Sequence, residues 1–490
     1  MLRGRKPFTR VRIRGITTGN MADQNVNSPV AGIERPTSRI NRRHFIYTSS
    51  LAASALGAGL SAGMARPNYK SPNEKLAIAC IGLGGQGHSV MTELANYQQD
   101  IVALCDVDAD HIQATRQKFG ASVKEAKIYR DFRELLEREK SADAVVIATP
   151  DHWHALVCTA AIHADKHVYC EKPLTHTIGE ARQLGHLAKH SKVTTQTGNQ
   201  GSGSSNFRRS IELIQAGVLG PVSAIHIWHP PHGWPCGIER PVGSDPVPEG
   251  LDWNLWIGPA PLRPYKKGMY HPFNWRGWYD FGGGSLSDFT CHAFSMPVRA
   301  LELNYPTRIE VSGAGLGLDS FPKSCQVHYT FPARGKLAPV MIHFYSGGEM
   351  PRSDVTAGMK ETFNNIPATG CLLVGEKGTL SAGLWNDQCF LKMKGESEYE
   401  SAANHEAAKG VPRSQPRAPH DRHVLEWVEA CKGQGKTFSP FEFGGHVTEI
   451  GAVGVLALRL GYNIEWDGPA MKAKGEPAAA PLVKPQQRKV

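Results

Sequence analysis

The stretch Leu76-Ala77-Ile78-Ala79-Cys80-Ile81-Gly82-Leu83-Gly84-Gly85-Gln86-Gly87 constrains the fold more than any other part of the chain. It opens as an apolar run and closes as Gly82-x-Gly84-x-x-Gly87. An apolar run of this length reads as a strand buried on both faces, as strands of parallel sheets are. Glycines at these spacings let the chain turn tightly, bring its backbone close to a ligand and seat the next helix on the strand. A helix starting near Gln86 would aim its free N–H groups and positive dipole end at a pyrophosphate. A second apolar run, Ile101–Cys105, ends at Asp106. That lies about 20 residues past the glycines, where a carboxylate accepts hydrogen bonds from an adenosine ribose. The plainer alternative is a βαβ unit without phosphate, in which Asp106 caps the next helix.

Strands and helices then alternate. Helices are expected over 87–97, 108–119, Asp131 to Arg138, 154–164 and 178–190, with strands at Ala144–Ala148, His167–Cys170 and Val193–Thr197. The pattern predicts an α/β fold that opens with an N-terminal Rossmann doubly wound parallel sheet, its ligand at the carboxyl ends of the strands. Asp106, Pro150, His154, Glu171 and Lys172 fall at those ends or just beyond. From about residue 206 a helix (Phe207 to Ala216) leads into an alternating run at 224–228 and further strand-like runs at 307–313, 325–331, 339–345, 371–374 and 379–381, then helices at 421–431 and 444–461. These predict a C-terminal α/β domain with a mainly antiparallel open sheet. The expected divisions are a leader (1–70), a nucleotide domain (74–200), a C-terminal domain (201–466) and a disordered tail rich in Lys, Pro and Ala (467–490).

Charge excludes one class of partner. The net charge is +10, and residues 1–70 hold 12 Lys and Arg against 2 Asp and Glu, so the body is balanced. Nucleic-acid binding has no electrostatic basis there. The ten cysteines form no CxxC pair. Cys80, Cys105 and Cys170 end apolar runs, where cysteine acts as a small buried hydrophobe, so few or no disulfides are expected.

Within the leader, Asn41-Arg42-Arg43-His44-Phe45-Ile46 precedes a soft apolar run from Ser50 to Met64, and Gly63-Met64-Ala65 offers a cleavage point near residue 65. Twin arginines and a weakly apolar core resemble a Tat-type signal. This implies passage through the Tat export machinery to a periplasmic location; a basic tail beside a short helix is the plainer alternative. The run is too short to span a membrane, so no membrane contact is expected of the mature protein. Met21 competes with Met1 as the start.

Two clusters carry chemistry. Glu171-Lys172-Pro173 follows a strand end, and the proline biases Lys172 toward an extended backbone. A lysine shielded from water beside a cationic ring would have a lowered pKa and could exchange a proton with a substrate hydroxyl. In Gly282-Gly283-Gly284-Ser285-Leu286-Ser287-Asp288-Phe289-Thr290-Cys291-His292, Asp288 and His292 lie four apart on one helix face. A carboxylate beside an imidazole raises its basicity and fixes its tautomer, which suits removal of an alcohol proton. Either cluster alone also fits an ordinary surface ion pair.

Taken in order, the glycine turn, Asp106, Thr149-Pro150-Asp151-His152-Trp153-His154, Glu171-Lys172-Pro173 and Gly282-Gly283-Gly284-x-x-x-Asp288-x-x-x-His292 resemble the Gfo/Idh/MocA oxidoreductase family over roughly residues 74–466. The resemblance implies a Rossmann domain followed by an α/β domain whose open sheet mediates a homodimer or homotetramer. It implies Lys172 as the catalytic lysine, His292 as proton acceptor or substrate anchor, and Asp288 as the residue that orients substrate hydroxyls. His154 and Glu171 would lie near the nicotinamide ribose, and Thr149 and Pro150 would complete a cofactor-binding set with Gly82, Gly84, Gly85, Gln86, Gly87 and Asp106. NAD is favoured over NADP, because Asp106 and Asp108 would repel a 2′-phosphate. A related group of exported NAD-containing glycosidases shares the fold and leader, but its tripeptide lacks the lysine.

Six tryptophans (Trp228, Trp234, Trp253, Trp256, Trp275, Trp278) crowd one stretch. They suit either the C–H faces of sugar rings or the anchoring of long loops and a subunit interface. No metal is expected: His226-x-x-His229-x-x-His232 crosses a strand end and two prolines without a nearby carboxylate or Cys. The expected function is an exported NAD-dependent oxidoreductase acting on CH–OH groups of a small-molecule sugar, polyol or glycoside. Loaded before export, its cofactor would be reoxidised in place, so turnover could be redox-neutral. The alternatives are an NAD-dependent glycoside-cleaving enzyme and a non-catalytic carbohydrate-binding protein.

Overall fold

Leu76, Ile78 and Cys80 enter one buried cluster while Ala79 and Ile81 enter another, so the first strand is packed on both faces. The structure, a computed structural model, describes residues 74–489. The leader and its Tat-type motif lie outside the described residues. Strands β1 (Ala77–Ile81), β2 (Asp100–Cys105), β3 (Lys127–Tyr129), β4 (Ala144–Ile147), β5 (His167–Glu171) and β6 (Thr195–Gly198) form an all-parallel sheet in the order β3-β2-β1-β4-β5-β6. The order reverses between β1 and β4, and such switch points open a crevice at the strands' carboxyl ends. The short β3 escaped the sequence reading, because three residues carry too little periodicity.

The second sheet has ten strands: β7 (Val222–His229), β8 (Arg308–Ala314), β9 (Ser324–Phe331), β10 (Val340–Ser346), β11 (Gly370–Gly375), β12 (Gly378–Ser381), β13 (Phe390–Met393), β14 (Glu400–Ser401), β15 (Ile464–Asp467) and β16 (Lys472–Ala473). Their order is β14-β13-β12-β11-β7-β10-β9-β8-β15-β16; β7 and β10 are parallel and every other neighbouring pair is antiparallel. Along β9 burial alternates strictly, with Cys325, Val327, Tyr329 and Phe331 inward. One face is therefore core and the other open, as antiparallel sheets allow.

The helix Phe441–Leu460 joins the domains, packing on Ile178–His190, on Gly284–Ala293 and on the second sheet. Its glycines permit close approach: a Cβ at Gly454 would overlap the buried Tyr329 hydroxyl. Gly454→Ala gains about 1 kcal/mol of helix propensity, but forced overpacking costs about 1–3 kcal/mol. We expect net destabilisation of up to about 2 kcal/mol in denaturant unfolding at unchanged slope. Gly185→Ala, whose Cβ would meet nothing closer than 3.5 Å, should stabilise by up to about 1 kcal/mol.

The tail departs from expectation. Residues 472–473 form β16, Ala480–Val483 is helical with Val483 buried, and Arg488 donates to Gly258 O (2.9 Å) and Asn254 Oδ1 (2.8 Å). Its composition reads as disorder, but docking on the body supplies the contacts that the segment itself lacks. All ten cysteines are free thiols, nine of them buried. Among the described residues no helix is long and apolar enough to cross a membrane.

Candidate active site

A cavity of about 570 Å³ occupies the crevice at the β1/β4 switch. Gly82, Gly84, Gly85, Gln86, Asp106, Thr149, Pro150, Glu171 and Lys172 line it, which brings most of the predicted site residues together. Gly82 has φ +84°, and a Cβ there would lie 2.5 Å from the Ala148 backbone. Gly87 lies under the turn, where a Cβ would overlap Gly82 O. Gly84 caps the helix Gly85–Asn96 without a side-chain acceptor, and its first turn carries no acid. The helix end is therefore open to an anion. Asp106 Oδ2 accepts from Leu83 N (2.7 Å) and Oδ1 from Asp108 N (2.9 Å), which locks this carboxylate to the glycine turn. These residues fit a dinucleotide.

Glu171 sits beneath the cavity, 4% exposed, accepting from Gln200 Nε2 (2.7 Å). Burial pushes its carboxyl up to about 7, against the opposing pull of Lys172. Lys172 Nζ donates to Asp288 Oδ1 at 2.7 Å, and Arg276 Nε stands 3.7 Å from the same oxygen. Burial opposes the Lys172 charge, but the field of Asp288 and its hydrogen bond outweigh it and hold the ammonium above its ordinary value. This corrects the expected lowering: the deciding partner is Asp288, on an element 116 residues away.

Asp288 and His292 do share the Gly284–Ala293 helix, but the carboxylate is drawn to Lys172 and not to the imidazole. Both His292 nitrogens are buried without a hydrogen-bond partner. Burial, aided by Lys172, holds the ring well below 6.5, so it is neutral with a free acceptor. Trp385 stands over it with ring centroids 4.0 Å apart and 42% of its surface exposed. His154 also differs from expectation. Its nitrogens face Pro173 O (2.7 Å) and Thr149 O (2.8 Å), so it braces the turn that carries Lys172 and offers no free atom to a ligand.

Several residues were missed. Asp151, within the quoted motif, lines the cavity 4% exposed, and burial followed by Asp288 drives its carboxyl well above the usual range. Arg276 lay in the tryptophan-rich stretch, but nothing local marked it. Trp385 is a lone tryptophan in a loop and gave no signal. The tryptophan stretch itself divides: Trp253, Trp256, Trp275 and Trp278 pack into one cluster, and Trp256 and Trp275 also line the cavity. That cluster forms a strap from the C-terminal domain. Asp252 N donates to Val107 O and Ala109 N to Gly250 O (both 3.0 Å), while Arg130 Nη2 binds both carbonyls at 2.6 and 2.7 Å. Asp108 caps the helix Ala109–Phe119 through Oδ1, and its Oδ2 faces His271 Nε2 of the strap at 2.7 Å. His226 stacks on His343, whereas His229 and His232 stack on each other, so the His226-x-x-His229-x-x-His232 spacing brings no three imidazoles to one point.

Fold and crevice define a nucleotide-binding oxidoreductase of the two-domain type. Residues 76–199 match the family described as "Oxidoreductase family, NAD-binding Rossmann fold" and residues 217–335 the "Oxidoreductase family, C-terminal alpha/beta domain". The chain belongs to the Gfo/Idh/MocA oxidoreductase family. It is 30% identical over 157 residues to inositol 2-dehydrogenase of Salmonella typhimurium, covering 31% of this chain and 46% of that one. It is 36% identical over 160 residues to a glycosyl hydrolase family 109 protein of Solibacter usitatus, covering 30% and 36%. The chain thus spans about half the length, or less, of these curated relatives. An inositol dehydrogenase homolog from Azotobacter vinelandii, solved with NADH and myo-inositol, superposes with TM-score 0.54 at 17% identity, over 80% of this chain and 98% of that one. This likeness is one of fold.

Proposed function

We propose that this protein is an exported NAD-dependent oxidoreductase that moves hydride between nicotinamide and a carbinol carbon of a sugar, polyol or glycoside. The observation that carries this reading is the Lys172–Asp288 pair at 2.7 Å beside a neutral His292 with two unpartnered nitrogens, with Lys172 lining the dinucleotide crevice. NAD, held by the Gly82–Gly87 turn and Asp106, supplies the hydride acceptor when bound. Lys172 donates to the substrate oxygen and stabilises the negative charge that develops there. Asp288 holds the ammonium in place. His292 accepts the hydroxyl proton. Trp385 offers an exposed aromatic face for a sugar ring.

Two features favour turnover without cofactor release. The twin-arginine stretch marks a route to a compartment where free NAD is scarce. The strap roofs the crevice and is tied to both ends of β2's loop, which favours a retained cofactor recycled in place. The 36% identity to a glycosyl hydrolase family 109 protein supports a second reading, in which oxidation precedes cleavage of a glycoside. Lys172 would serve the oxidation in either case. The test is an absorbance and mass spectrum of protein recovered from the periplasm, before and after a panel of sugars and glycosides. Bound NAD whose band near ~340 nm rises with one sugar and falls with a second supports redox-neutral turnover. Release of an aglycone selects the second reading. Protein that binds sugars with no change in that band, in wild type and Lys172→Met alike, is a binding protein and overturns both.

A further inference from the structure

Asp108, His111 and His271 stand together where the strap meets the nucleotide domain. Asp108 Oδ2 lies 2.7 Å from His271 Nε2 and 4.0 Å from His111 Nε2, and one ligand atom of each residue lies within 4.8 Å of the others. Two ligands on one tetrahedral zinc are about 3.4 Å apart, given bonds of about 2.0–2.1 Å, so the observed separations bracket the required one. We propose that these three residues form a divalent-cation site of the zinc class that fastens the strap to the nucleotide domain.

The surroundings are arranged as for a ligand set. Asp108 and His111 are three residues apart at the start of the helix Ala109–Phe119 and share a face. Asp110 N–H holds Asp108 Oδ1 (2.9 Å), which leaves Oδ2 for a metal. Asp106 Oδ2 holds His111 Nδ1 (3.2 Å), which presents Nε2 to the centre, as carboxylates do for metal-bound histidines. Asp108 is 8% exposed, and its only partners from the strap side are His271 and main chain. Asp108 brings one negative charge to a dication directly, and Asp106 a second through His111. His111 and His271 also line the cavity, so a fourth position is open to water or a ligand. Two imidazoles and one carboxylate with an open position suit Zn²⁺, Co²⁺ or Ni²⁺. The other histidine cluster, His226, His328 and His343, does not compete. His226 and His343 are stacked at 4.7 Å and 15°, and parallel rings cannot aim their lone pairs at one point.

The test uses the full chain, stripped with chelator and dialysed against micromolar Zn²⁺, with zinc counted by atomic emission. We expect roughly one zinc per chain in wild type and under about a tenth in His271→Ala and His111→Ala, with His343→Ala unchanged. The His111 ring is 26% exposed, so His111→Ala stays informative where His271→Ala fails to fold. Co²⁺ in place of zinc should give a visible tetrahedral spectrum that disappears in His111→Ala. Wild type without zinc, zinc retained by both Ala variants, or zinc lost in His343→Ala overturns the site. The readout needs neither NAD nor turnover, so its failure leaves the oxidoreductase reading standing.

Discussion

Lys172→Met should lower turnover by about 10³-fold while NAD remains bound, because the glycine turn that holds it is untouched. The lost charge is the one placed to meet negative charge on the substrate oxygen. The same substitution also costs stability. Asp288 is 13% exposed and would keep only Arg276, 3.7 Å away. Stranding one partner of a buried pair costs about 3–5 kcal/mol, and Arg276 offsets part of that. Adding Asp288→Asn removes the stranded charge, so Lys172→Met/Asp288→Asn should recover most of the stability and none of the turnover. Steady-state kinetics and urea unfolding on the same samples separate the two effects. Recovery of turnover in the double variant would make Lys172 a structural residue and would sink its assigned role.

Acid should unfold the body cooperatively between about pH 4 and 5. His152, His154 and His423 are 3%, 1% and 3% exposed. Burial lowers His152 to about 3 and the other two to about 4. In the unfolded chain each takes a proton near pH 6.5. Their stabilising effect is therefore complete above pH 6.5 and is lost as pH falls toward 4. At about 1.4 kcal/mol per unit the three together lose on the order of 10 kcal/mol, comparable with the whole stability of a domain. Glu171, raised to about 7, acts the other way, as does Asp151, held well above its usual range: Glu171 favours the fold more as pH falls from 7 to 4.5. One group offsets about 3 kcal/mol of that loss. Circular dichroism against pH reads the transition, and His423→Gln should flatten it by one proton. A chain that keeps its melting temperature down to pH 4 refutes the account.

What local spacing decides was legible in the sequence. Gly82, Gly84 and Gly87 needed no distant partner to be read, because a tight turn and a close helix are properties of a dozen neighbouring residues. The apolar runs at Ala77–Ile81 and Ala144–Ile147 announced a parallel sheet for the same reason: both faces of each strand must be covered. The strand-like run at 325–331 likewise marked part of the second sheet, and the structure then showed burial alternating along it. The active-site electrostatics could not be read this way. Helical periodicity put Asp288 beside His292, but the fold delivered Lys172 to the carboxylate across 116 residues, raising the lysine and leaving the imidazole neutral and unpaired. His271 reaches Asp108 across 163 residues, Arg276 and Trp385 enter the site from loops without periodicity, and the tail is ordered only by what it docks on. A charge pair or a docked strap depends on distances in space, and no period along the chain encodes them. The sequence alone thus determined the frame and the cofactor turn, whereas only the tertiary structure decided which charges meet over the substrate.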